Sequence, residues 1–191
     1  MSEEKHQLQT GWTLLYDVSG SKTQKSSDSW GESQRVLLTV NTIEDFWGLF
    51  NNIQKPTQLS NGSNYYFFRD GIKPAWEDPS NAKGGRWIIE MDQKSDMADQ
   101  CWLTSLLALI GENIDNVCGI VLNLRRNYFR YSLWISCSED SETCISIGKK
   151  WKELCTFPMK TTLKFEIHND SRSGAEKHAN KYPYMLEGAV F

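Results

Sequence analysis

Hydrophobic positions change their period repeatedly along the chain, and each change marks an element. Trp12, Leu14, Tyr16 and Val18 alternate with Thr13 and Asp17, the period-two signature of a half-buried strand over 11–18. A leucine and β-branched run over 35–40 reads as a second strand. The period then lengthens: Ile43, Phe46, Trp47, Phe50 and Ile53 recur at helical spacing, Thr42 and Asp45 are placed as a capping box, and Pro56 supplies a stop. Trp47 falls at the edge of this stripe, as core or as an exposed docking point. Tyr65, Tyr66, Phe67 and Phe68 follow the turn pair Asn61-Gly62 without alternation, which predicts a strand over 61–69 buried on both faces. After a strand over 85–92, Trp102, Leu103, Leu106, Leu107 and Ile110 predict a helix over 96–110 with a wide apolar face, ended by Gly111.

Two strands, 119–125 and 129–136, flank a short turn and carry the most informative alternation. Ile120, Leu122 and Leu124 share one face while Val121, Asn123 and Arg125 share the other. In the returning strand Tyr131, Leu133 and Ile135 oppose Arg130, Ser132, Trp134 and Ser136. Trp134 is therefore placed on a polar face with Arg130 and Arg125, either as a working surface or as one stray aromatic on a solvated face. A helix over 141–155, with Trp151 in its core stripe, and a strand over 161–167 complete the pattern. About seven strands interrupted by three helices describe an α+β domain, most simply an antiparallel sheet with helices packed on one face. One domain over 1–191 is expected, with a flexible N-terminal segment (about 1–10), a mobile polar loop (19–34) and an irregular tail (about 168–191).

Residues 70–87, DGIKPAWEDPSNAKGGRW, are too densely punctuated by Gly and Pro for a long element, yet carry Trp76 beside Glu77 and Asp78. A lone loop tryptophan ordinarily folds back to cap the core. Trp30 lies in the polar loop 19–34 with no obvious core to join.

Composition narrows the function. A net charge of -3 argues against a general phosphate-backbone binder, so nucleic-acid contact would have to be local. The 5 cysteines are odd in number and include no C-x-x-C pair, so neither a disulfide framework nor a zinc site is expected, and a reducing cytosol or nucleus fits. No stretch has the length of a membrane span, and the N-terminus lacks a signal-peptide pattern. Nucleophile, metalloprotease and nucleotide-loop motifs are absent. Eight tryptophans exceed what a core of this size ordinarily uses, so some are expected to be working surfaces. Trp30, Trp76 and Trp134, with Glu77, Arg86, Arg125 and Arg130 for charge, suit a positively charged base attached to phosphates. Two indoles can sandwich the base, a carboxylate can accept from its N–H edge, and arginines can fork onto phosphate oxygens.

Several blocks together closely resemble the eukaryotic translation initiation factor 4E family, the messenger-RNA cap-binding proteins. They are EDFWGLFNNIQ (44–54), DGIKPAWED (70–78), KGGRW (83–87), WLTSLLALIGE (102–112) and VCGIVLNLR (117–125). The resemblance implies a curved antiparallel sheet of about seven to eight strands with three α-helices on its convex face. It also implies a 7-methylguanosine cap, such as 7-methyl-GTP, held in the concave face without a cofactor or metal. By motif position Trp30 and Trp76 become the stacking pair, Glu77 the acceptor from the guanine edge and Trp134 the wall beside the methyl group. Arg125, Arg86 and Arg130 fall at phosphate-side positions. Trp47, lined by Ile43, Leu103 and Leu107, becomes the dorsal site for a Tyr-x-x-x-x-Leu-hydrophobic helix of scaffold or repressor proteins. Thr104 stands where the family usually has an acid beside that groove, Gln7 where it has proline, and Asn127 and Arg130 where it has lysines. The implied protein is a non-enzymatic, monomeric, cytoplasmic or nuclear factor that recruits capped mRNA through a scaffold. A cap-binding repressor is the alternative within the family, and a cap hydrolase or a ligand-free interaction module the alternatives outside it.

Overall fold

The computed structural model describes residues 5–18, 34–157, 161–168 and 182–187. The strands are β1 (Gln7–Val18), β2 (Arg35–Thr42), β3 (Ser63–Arg69), β4 (Gly85–Asp92), β5 (Val117–Arg125), β6 (Tyr128–Ile135), β7 (Leu163–Ile167) and β8 (Tyr184–Leu186). They form one curved antiparallel sheet in the order β2-β1-β3-β5-β6-β4-β7-β8. Three long helices, α1 (Ile43–Asn52), α3 (Ala98–Ile110) and α4 (Ser141–Leu154), cover one face, and a single turn, α2 (Pro79–Ala82), lies in the loop before β4.

The main core lies between sheet and helices. Trp12, Phe67, Ile120, Leu133, Trp87 and Phe165 point to that side from successive strands and meet Phe46 of α1, Trp102 of α3 and Trp151 of α4. Several buried polar atoms of this core are paired: Tyr131 Oη donates to Ala98 O at 2.8 Å, Trp87 Nε1 to Cys144 O at 2.9 Å and Trp151 Nε1 to Ser105 Oγ at 2.9 Å, whereas Trp12 Nε1 and Trp102 Nε1 have no partner among the described residues. Trp151 is thus core, as its spacing predicts.

Several boundaries depart from the sequence reading. β1 begins at Gln7, inside the segment expected to be flexible, because Lys5 and His6 are tied to the start of α1. Lys5 Nζ donates to Asp45 Oδ1 at 2.7 Å, and His6 N to Glu44 Oε2 at 3.0 Å. α3 starts at Ala98 instead of 96, and β5 at Val117 instead of 119. The tail expected to be irregular contributes β8, since the open edge of β7 offers unpaired backbone groups to any extended segment that reaches it. Strand β3 is buried on both faces, as expected, because the helix-free side carries a second apolar cluster of Tyr66, Phe68, Cys118, Val121 and Trp134.

Candidate functional site

Strand register turns the helix-free, concave face into parallel rows of side chains. One row runs Thr13, Phe68, Gly119, Trp134, Arg86, Glu166; the next runs Leu15, Tyr66, Val121, Ser132, Ile88, Lys164; a third runs Asp17, Asn64, Asn123, Arg130, Glu90. Rows two residues apart are separated by about 7 Å. The first has an aromatic centre and the third is polar or charged throughout, with Arg125 and Tyr128 paired beyond it. The face therefore grades from an apolar floor to a polar end over about 14 Å.

Trp134 departs from the expected polar surroundings. Only 6 % exposed, its ring meets Phe68 edge-on at 5.6 Å, lies 4.3 Å from His168, and has the Arg86 guanidinium 5.8 Å away. Its own strand shows only Tyr128, Arg130 and Ser132 beside it on this face. The aromatic company comes from β3, across Gly119, where any Cβ would collide with the Phe68 ring. Its Nε1 has no partner among the described residues.

Above this floor stands the loop between β3 and β4. Asp78 caps α2: its Oδ1 accepts from Ser80 N and its Oδ2 from Lys73 N, both at 2.9 Å, with Pro79 in the first turn. Asn81, fully buried, donates from Nδ2 to both Lys73 O and Ala75 O at 2.8 Å, and its own carbonyl lies 2.9 Å from His168 Nδ1. Ile72 packs on the concave cluster, and Cys118 Sγ donates to Ser80 O at 3.4 Å. With the loop locked by these ties, Trp76 stands 39 % exposed instead of capping the core, and its Nε1 donates to Glu77 Oε1. Asp78 shapes this turn, and Asn81 is the organiser that sequence reasoning does not find. The Asp-Pro pair was a readable cap signal, whereas nothing local marks Asn81 as buried.

The charged end has a distinct geometry at each arginine. Arg86 donates from Nε and Nη2 to Glu166 Oε2 at 2.8 and 2.6 Å, and Arg130 from Nε to Glu90 Oε1 at 2.9 Å. Arg125 Nη1 donates to Asn64 Oδ1 at 2.9 Å and to Leu124 O at 3.0 Å. Burial, the largest influence on His168, lowers its pKa; the Asn81 carbonyl raises it, nearby Arg86 lowers it and Glu166 raises it, and the net direction is down. Trp30, the other expected stacking residue, lies outside the described residues.

On the opposite side, Trp47 leaves the core. It is 38 % exposed, packed edge-on against Phe46 at 5.2 Å and Phe50 at 6.0 Å, with Ile43 exposed beside it. Leu103 and Leu107 of α3 are half-buried, and Thr104 between them accepts from Gln100 Nε2 at 2.9 Å. The helix-free side thus carries the buried Trp134 and three arginines, and the loop tied to it carries the exposed Trp76 beside Glu77.

A family model described as Eukaryotic initiation factor 4E matches residues 7–183. Eukaryotic translation initiation factor 4E-1B of Danio rerio is 41% identical over 173 residues, covering 87% of this chain and 78% of its own length. Among solved structures, the C. elegans eIF4E-3 complex with the 4E-binding protein Mextli and cap analog is 33% identical, with a TM-score of 0.83 over 96% of this chain and 100% of that one. Schistosome eIF4E complexed with m7GpppG and 4E-BP is 30% identical, with a TM-score of 0.82 over the same shares.

Proposed function

Because the chain belongs to the eukaryotic initiation factor 4E family, we propose that it binds the 7-methylguanosine cap of messenger RNA between Trp30 and Trp76 and recruits capped mRNA to the initiation machinery through a scaffold protein. It is a binding protein and not an enzyme. The observation that carries the reading is Trp76: a loop indole held out in solvent by a buried asparagine, its N–H on the adjacent Glu77. Methylation at N7 makes guanine cationic. Sandwiching it between indoles then adds about 2 kcal/mol of cation–π attraction when water is excluded. At about 1.4 kcal/mol per tenfold, this favours methylated over plain guanine by more than an order of magnitude. Glu77 accepts from the guanine N–H edge in exchange for its bond to Trp76, Trp134 walls the methyl side, and Arg86, Arg125 and Arg130 face the phosphates. The relatives' complexes with cap analogs and with 4E-binding proteins support both halves of the proposal.

Titration of 7-methyl-GTP and GTP, followed by tryptophan fluorescence, tests it in the parent, Trp76→Ala and Glu77→Ala proteins. Strong quenching by the methylated nucleotide alone, lost in both variants, is expected. An equal response to both nucleotides would defeat the sandwich.

A further inference from the structure

Three arginines share the concave face, but the charge on their partners differs. Arg86 and Arg130 are each matched by a carboxylate, Glu166 and Glu90. Arg125 is held by neutral oxygens, and among the described residues no carboxylate lies within ion-pair distance of it. A guanidinium fixed this way keeps its full charge for an incoming anion, whereas a paired one has most of its field offset.

Asn64 supplies that neutral contact, and its amide direction is not arbitrary. The side chain is 1 % exposed, and exchanging its oxygen and nitrogen would reverse every bond it makes. Two acceptor-only groups decide the matter: the Asp17 carboxylate and, at 3.3 Å, the Gly62 carbonyl both take the Asn64 Nδ2–H bonds. Oδ1 is thereby turned toward two donors, Asn123 Nδ2 at 2.8 Å and Arg125 Nη1 at 2.9 Å. Tyr66 steadies the other Asp17 oxygen with a hydroxyl bond of 3.1 Å, and burial raises the Tyr66 pKa, so the phenol stays a donor.

We propose that Asp17 and Asn64 are positioning residues for phosphate recognition: Asp17, together with the Gly62 carbonyl, sets the amide's direction, and Asn64 fixes the Arg125 guanidinium without neutralising it, so that Arg125 keeps its charge for the phosphates. This rests on the concave face being the cap site, and the test separates the two ideas. Calorimetric titrations with 7-methylguanosine, 7-methyl-GMP and 7-methyl-GTP measure the base and the phosphate contributions in the parent, Asn64→Asp and Asp17→Asn proteins.

Nucleoside affinity stays within about twofold of the parent in both variants, while the gain from nucleoside to triphosphate falls about tenfold in Asn64→Asp, where a carboxylate pairs with Arg125. In Asp17→Asn the gain falls about threefold, because an amide at 17 can accept or donate and leaves only the longer bond to the Gly62 carbonyl to hold the Asn64 direction. If Asn64→Asp fails to fold, Asp17→Asn carries the test. An undiminished triphosphate gain in folded Asp17→Asn overturns the proposal. So does an equal loss for nucleoside and triphosphate, which is the mark of a merely structural role. A parent protein that does not distinguish 7-methyl-GTP from GTP overturns the cap reading itself, independently of the two variants.

Discussion

Asn81 decides where Trp76 stands. Its amide holds the carbonyls of Lys73 and Ala75 on either side of Pro74, and its own carbonyl meets His168. Asn81→Asp keeps the volume but aims a carboxylate at two carbonyl oxygens, so both buried acceptors lose their donor at about 1–3 kcal/mol each. The expected outcome is 7-methyl-GTP binding weakened at least about tenfold, read by fluorescence titration, with a lower melting temperature. His168 gives a pH signature. Its folded pKa lies below the unfolded value of about 6.5, so the unfolded chain binds the extra proton more readily. The stability linked to neutral His168 is therefore complete above about pH 6.5 and is lost as the pH falls below it. Melting curves should show the parent losing more stability than His168→Gln between neutral and mildly acidic pH. At this scale the residue types of the site were legible, because exposed indoles and arginines in polar surroundings are conspicuous. Asn64, Asn81 and His168 were not, since a polar residue that works by being buried looks the same in a sequence as one on the surface.

Among the elements, α1 shows how local rules and packing combine. Thr42 Oγ1 accepts from Asp45 N at 3.1 Å, while the Asp45 carboxylate, which a capping box would turn back to the helix start, is taken by Lys5. Thr42→Ala should lower stability by about 1 kcal/mol in chemical denaturation. Gly48, with nothing within 4 Å of an added Cβ, offers the opposite change. Gly48→Ala should stabilise the helix by about 0.5–1 kcal/mol, since alanine loses less backbone entropy on folding. Gly84 has no such latitude, because a Cβ there would run into the Ile135 carbonyl oxygen where β4 begins beside β6. The long helices and central strands were readable because their period is set by one buried face. β8 was not, because a three-residue strand exists only by virtue of the edge it joins, and α2 was overlooked inside a loop although its Asp-Pro cap was in plain view.

Across the whole molecule the sheet separates two surfaces, with Trp76 and the arginines on the concave side and Trp47 outside the helices. Changes this far apart, with no shared contact, should act additively. Trp47→Ala should abolish binding of a Tyr-x-x-x-x-Leu-hydrophobic peptide and leave 7-methyl-GTP affinity within about twofold, and Trp76→Ala should do the reverse. Fluorescence titrations with both ligands on the single and double variants check this, and joint loss in Trp47→Ala would mean that its indole supports the fold. The sequence by itself determined the α+β class, the order of the long elements, the doubly buried β3 and the sharing of one face by Trp134, Arg130 and Arg125. These depend on periodicity within a segment and, for Arg125 beside Trp134 and Arg130, on the short turn that pairs two consecutive strands. Only the tertiary structure decided what stands beside each residue on that face. It brought Phe68 across Gly119 to enclose Trp134, set carboxylates against Arg86 and Arg130 but an amide against Arg125, and exposed Trp47 and Trp76 while burying Trp12, Trp87, Trp102 and Trp151. Strand register and loop anchoring join residues from distant parts of the chain, and alternation along one strand carries no information about neighbours that are far away in sequence.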